Sequence, residues 1–280
     1  MVDVASLRFG PLLRKFRNHV GLSQERLAFD AEVSPRHLSF LETGRSAPSR
    51  EMVLYLASAM DLPLRERNEL LVAAGFAPVY AHHSLEDVEL EYVTKALDHL
   101  LAAHEPFGAL AINRSHDILK MNQGAMRLFA WATAGRTVPP EVTGNLLRGI
   151  LHPEGLRPAI VGWESLARQM IARLRHDVAH RPSPELSNLL AEVTAYEGLG
   201  DIGRGFDIEV GLPFAIVHLR NNGVDLRLFT MLTTIGTPLD VTAQEVAIES
   251  YHPADRATAE ALRSMAQAAP GSTISASVQS

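Results

Sequence analysis

The segment that most constrains the fold runs from Gly21 to Arg45, "GLSQERLAFDAEVSPRHLSFLETGR". It holds two short helical patterns with only a tight turn between them. Upstream, Leu12, Leu13, Phe16 and Val20 recur at helical spacing and mark a first amphipathic helix, which Gly21 ends. Ser23 stands at the N-cap of the second helix, with Arg26 rather than Glu at the capping-box position, and Leu27 and Ala28 facing inward. Ser34 followed by Pro35 restarts the chain as a serine cap with proline at the first helical position. The third helix runs through Leu38 and Leu41 and ends near Gly44. Ser49 caps a fourth, carrying Met52, Val53, Leu56, Ala57 and Met60, and Pro63 opens a fifth. Five helices with such short connections predict a compact helical unit, in which the second and third have helix-turn-helix proportions.

Charge adds a local feature to this unit. The 280-residue chain has a formal net charge of -6, yet residues 1–80 hold ten Arg/Lys and nine Asp/Glu. The head is therefore near neutral and the remainder acidic. Arg8, Arg14, Lys15 and Arg17 follow one another with no acid between Asp3 and Glu25, a basic face able to meet phosphate or simply solvent. With 46% hydrophobic and 21% charged residues the composition is that of a globular protein. No cysteine is present, which excludes disulfides, zinc–thiolate sites and cysteine nucleophiles. Neither a leader pattern nor a membrane-length apolar run is read, so a cytoplasmic location is expected.

The stretch "GLSQERLAFDAEVSPRHLSFLETGRSAPS" resembles the DNA-binding domain of the Xre/Cro/C1 repressor family over about residues 5–75. The match rests on Gly21, Ser23, Gln24, Leu27, Ala28, Val33, Ser34, Leu38, Leu41, Glu42, Gly44 and Pro48. The resemblance implies that Gln24 contacts a phosphate, that the third helix enters the major groove, and that Arg45 holds backbone phosphate. It leaves Ser34, Arg36, His37, Ser39 and Phe40 as the exposed positions of the reading helix. Among them Arg36 suits a guanine edge, His37 a phosphate, and Phe40 either a thymine methyl or packing. The resemblance also implies a structural ion pair between Arg17 and Glu42. The chain departs from the family at Glu32, where the turn usually carries glycine.

After "APVYAHHS", read as a solvated linker, Leu90, Val93, Leu97, Leu100 and Leu101 predict a connecting helix that ends before Pro106. The pattern then changes. "FGALAI" and "DILKMN" predict a hairpin. "QGAMRLFAW" predicts a short helix, residues 154–180 a long one and "PSPELSNLLAEVTAYEG" another. Strands are expected in "GFDIEVGLPFAIVHL", in "VDLRLFTMLTTIG" across an Asn221-Asn222-Gly223 turn, and in "AQEVAIESYHP". The order suits an antiparallel sheet with helices on one face.

The phrases "INRSHDILKMNQGAMRLFAW", "NLLRGILHPEGLRPAIVGWESLARQMIARLR" and "RLFTMLTTIGTPLDVTAQEVAIESYHPAD" resemble the ligand-binding domain of MmyB-like transcription regulators over about residues 105–260. His116 stands where that family commonly has tryptophan. The resemblance implies a PAS-like pocket for a fatty acid or similar apolar molecule. The expected lining is Met126, Phe129, Trp163, Met170, Phe214, Ile216, Phe229 and Met231, which by residue type alone fit a solid core equally well.

The expected architecture is α+β. An all-α, five-helix, lambda-repressor-like head at 1–76 is followed by a linker and helix at 77–104, a PAS-like domain with an antiparallel sheet at 105–262, and a disordered tail at 263–280. The expected function is a ligand-controlled DNA-binding regulator, a repressor acting as a homodimer, with double-stranded DNA and a small apolar ligand as partners and no cofactor or metal. The competing reading is an antitoxin or protein-interaction module using the same head. Enzyme chemistry is set aside. The pair His176 and His180 lacks the adjacent glutamate of a zinc protease, and "GLGDIGRG" lacks both the strand–helix setting and the lysine of a phosphate loop.

Overall fold

The computed structural model describes residues 8–180, 183–199 and 216–268. These form two compact units. The first comprises the described residues up to Val93 together with those of 176–187 and 235–245; the second comprises the remainder from Thr94 onward.

In the first unit the five expected helices are α1 (Phe9–His19), α2 (Gln24–Asp30), α3 (Pro35–Glu42), α4 (Arg50–Ala59) and α5 (Leu64–Ala73). Three serines cap them as their positions dictate. Ser23, Ser34 and Ser49 accept hydrogen bonds from the backbone N–H groups of Arg26, His37 and Met52 at 3.0–3.2 Å. The apolar stripes meet in one core of Leu12, Leu13, Leu27, Leu38, Leu56 and Leu70 and their neighbours. Each buried leucine contributes about 1.5–3 kcal/mol. Gly10 lets α1 touch α3: a Cβ there would lie 2.5 Å from the Glu42 carbonyl oxygen. The turn before α3 keeps its left-handed residue without glycine, Glu32 having φ of 55°. That conformation costs a non-glycine residue roughly 1 kcal/mol, and the packing on either side holds it.

The segment expected as a solvated linker is pinned instead. Asn68 of α5 accepts from the N–H groups of Val79 and Tyr80 and donates to the Tyr80 carbonyl. His83 is partly buried and hydrogen-bonds Asp240 through Nδ1 at 2.9 Å. Asp240 in turn caps α12 (Val241–Glu245), accepting from Thr242 N–H at 2.8 Å. The sequence reading had placed Ala243 to Glu245 at the start of a strand; they are helical.

The second unit contains α6 (Glu91–Ala103, from Thr94 onward), β1 (Ala109–Ile112), β2 (Ile118–Met121), α7 (Gln123–Ala132), α8 (Pro140–Thr143) and α9 (Leu146–Leu151). The long helix expected over 154–180 is shorter. A 3-10 turn at Arg157–Ala159 and Gly162 precede α10 (Trp163–His180, as far as Arg175). Then come α11 (Pro184–Thr194, from Asn188 onward), β3 (Val217–Asn221), β4 (Val224–Thr234), β5 (Ala247–Pro253) and α13 (Arg256–Ala268). The strands form one antiparallel sheet in the order β2-β1-β5-β4-β3. Asn222 and Gly223 both have positive φ, the requirement of the tight hairpin turn between β3 and β4.

Two buried asparagines knit the unit. Asn122 caps α7 and also bonds Ala109, Leu101 and Phe107 backbone groups. Asn145 caps α9 and bonds Ser115 and Asp117. Residues 263–268, expected in a disordered tail, continue α13, which buries Thr258 and Leu262. The tail from 269 and most of the first expected C-terminal strand lie outside the described residues.

Candidate functional site

The first site is the exposed side of α3. Ser34 spends its hydroxyl on the cap of the helix, and Arg36 behind it is exposed. His37, Ser39 and Phe40 are partly buried, and Arg45 is exposed in the following loop. Two guanidinium groups lie against the Phe40 ring, Arg36 5.4 Å and Arg45 5.9 Å from its centroid. The aromatic ring thus helps to position both cations.

Gln24 is placed differently from the expectation of a free phosphate donor. Its amide nitrogen donates to Glu42 Oε2 at 2.6 Å. Glu42 also accepts from Arg17, Nε to Oε1 at 2.5 Å and Nη2 to Oε2 at 3.2 Å. Arg17 further donates to the Leu22 carbonyl at 2.7 Å. This buried network ties α1, α2 and α3 together. An amide nitrogen has two hydrogens, so Gln24 keeps one for another acceptor.

The described residues among the eight expected to line an apolar pocket are not brought onto one surface. Phe229 pairs with His252 across β4 and β5, and the two rings stack at 5.2 Å. His252 meets His104 edge-on at 4.8 Å. Thr230 pairs with Tyr251, whose ring lies 6.5 Å from Phe129 of α7. Successive strand residues point to opposite faces, so Phe129 and Phe229 occupy opposite sides of the sheet. Met231 shares the Phe229 side and is 54% exposed. Ile216 precedes β3, and Phe214 lies outside the described residues. Trp163 is buried, donates from Nε1 to the Ile150 carbonyl at 3.2 Å, and carries the Arg157 guanidinium 3.6 Å above its ring. A depression of about 430 Å³ opens beside this pair, lined also by Pro153, Ile160 and Glu197. Met126 is 42% exposed on α7, and Met170 is partly buried on α10.

The face that carries Tyr251 holds a residue the sequence did not point to. Glu249 on the central strand β5 stands opposite Leu110 of β1 and Leu232 of β4. Among the described residues its side chain has no hydrogen-bond partner. Burial pushes its carboxyl up to about 7, against the pull of Arg173 on α10. Leu232 beside it is 46% exposed. No sequence signal marks this residue, because a glutamate in "AIESYHP" reads as the solvent side of a half-buried strand.

An exposed, arginine-bearing helix set behind a capped turn on a five-helix core defines a helix-turn-helix DNA-binding module, here followed by a separate α+β domain. The family comparison agrees at both ends. A helix-turn-helix domain matches residues 8–70, and the MmyB-like transcription regulator ligand binding domain matches residues 93–265. The chain belongs to this family of MmyB-like transcription regulators, and it is a DNA-binding transcription regulator with a ligand-binding domain. Both matched families are regulator domains and not enzymes. A search of curated proteins gave no match. Among the described residues no helix is long and apolar enough to cross a membrane, and no cluster of His, Asp or Glu is arranged to hold a metal ion.

Proposed function

We propose that this regulator is a cytoplasmic repressor that binds its operator as a homodimer and is controlled by a small apolar ligand with an acyl chain, of which a fatty acid is the simplest. The observation that carries the DNA reading is the α3 face, where Arg36 and Arg45 both lie against Phe40. Arg36 reads a base edge in the major groove, and Arg45 and the remaining N–H of Gln24 take phosphates. One such head covers about half a site, so two heads related by a two-fold axis read two half-sites one turn apart. The strand order β2-β1-β5-β4-β3 supports the PAS-like reading of the second domain. Control requires only that the ligand bind one of two dimer geometries more tightly.

Gel-shift titrations over a salt series, together with native mass spectrometry of gently purified protein, test this reading. Salt-dependent binding to a two-fold operator, a dimer mass and a co-purifying lipid are expected. A monomer that ignores DNA would instead favour a protein-interaction module.

A further inference from the structure

A carboxyl group on the middle strand of a sheet, between leucines and, among the described residues, without a hydrogen-bond partner, is costly to keep. Glu249 has that position. Leu110 and Leu232 flank it across the ladders, and Ala247 and Tyr251 lie on either side along the same face of β5. Among the described residues, the charged groups acting on it are Arg173 from α10 and, once ionised, Tyr251 on its own strand. On this face Leu232 and Thr234, toward the end of β4, are exposed, whereas Tyr251 on the other side of Glu249 is buried beside Phe129. An apolar floor with one acceptor that has no protein partner among the described residues is the pattern of a small-molecule site, in which a few polar groups fix the orientation of a mostly apolar ligand.

We propose that Glu249 receives the polar end of the ligand, and that this end is a hydrogen-bond donor: a hydroxyl, an amide or an ammonium group on an apolar chain. The proposal rests on the reading of the second domain as an apolar-ligand sensor, and it selects among ligands of that class. An ionised carboxylate meets a second carboxylate here and is repelled; a fatty acid enters only with its proton. Arg173 acts on Glu249 from one side and moderates this repulsion without supplying the acceptor that a donor head group needs.

The test uses four probes of equal chain length: decanol, decanamide, decylamine and decanoic acid. Their affinities for the full chain are measured by calorimetry near pH 8 and near pH 6. Near pH 8 the three donors should bind at least roughly tenfold more tightly than decanoate, the scale of one hydrogen bond to a charged group. Decanoate should gain on the others as the pH falls, because protonation of either acid removes the repulsion. In Glu249→Gln the discrimination against decanoate should largely vanish and its pH dependence flatten. Equal binding of decanoate and decanol by the unmodified chain at both pH values would overturn the proposal, as would an unchanged ranking in folded Glu249→Gln. If none of the four binds, the apolar-ligand reading itself fails and takes this assignment with it. The pH series on the unmodified chain stands whether or not the variant folds.

Discussion

Glu245 of α12 grips Arg65 of α5 with both carboxylate oxygens, at 2.6 and 2.7 Å. Beside them Gln244 accepts from the Leu64 backbone N–H at 2.7 Å. This joins a helix of the DNA-binding unit to the connection between β4 and β5, and the hydrogen bond to Glu245 raises the Arg65 pKa further. Arg65→Ala should cost about 1–2 kcal/mol, the scale of a bidentate pair that is still partly wet. It should leave DNA affinity without ligand intact and abolish the effect of ligand on that affinity. DNA titrations with and without ligand check this; an undiminished ligand response in the variant rules out the clamp as the route.

Arg36→Ala should weaken operator binding by ~1–3 kcal/mol and relax preference at one base pair. Arg45→Ala should weaken binding to every sequence and lower the salt slope by about one. Competition binding with a randomised operator library separates the two effects. Unchanged affinity and preference in Arg36→Ala would show that α3 is not the reading helix.

Glu42→Ala strips the acceptor from both Arg17 and Gln24 inside the helical unit. An uncompensated buried guanidinium should cost about 3–5 kcal/mol. Replacing Arg17 and Glu42 together with methionine and leucine should recover most of that loss. Urea unfolding followed by circular dichroism reads both. Equal losses in the single and double variants would mean that the pair acts through shape rather than charge.

Glu249 sets a pH dependence of stability with a definite sign. Its carboxyl is raised from 4.5 to about 7 by burial. Between those values the folded chain holds a proton that the unfolded chain has released. Its contribution therefore turns unfavourable as pH rises through that window, reaching a few kcal/mol above it. Glu249→Gln should match the unmodified chain at low pH and gain thermal stability over it progressively from about pH 5 to 8. Melting curves across that range decide it, and a constant difference between the two proteins would contradict the assignment.

What the sequence determined by itself was local. Serine caps at positions 23, 34 and 49, the helical spacing of leucines and the Asn222-Gly223 turn each act within a few residues, and all appear where their chemistry put them. The Arg17–Glu42 pair was legible only through family resemblance, since nothing in the sequence joins residues 25 positions apart. The short helix α12 and helix α13 are not legible in the sequence because their stretches hold few large apolar residues, and their stability comes from long-range partners. Asp240 holds His83 beside α12, and Thr258 accepts from the Arg227 backbone N–H beneath α13. The alternation in β4 showed that Phe229 and Met231 share a face but not which face. A period of two fixes parity and leaves the side to the partners across the ladder. Only the register with β5 set Phe229 against His252 and left Leu232 beside Glu249. The carboxyl acquired its raised pKa the same way, from apolar neighbours that the fold alone brings together.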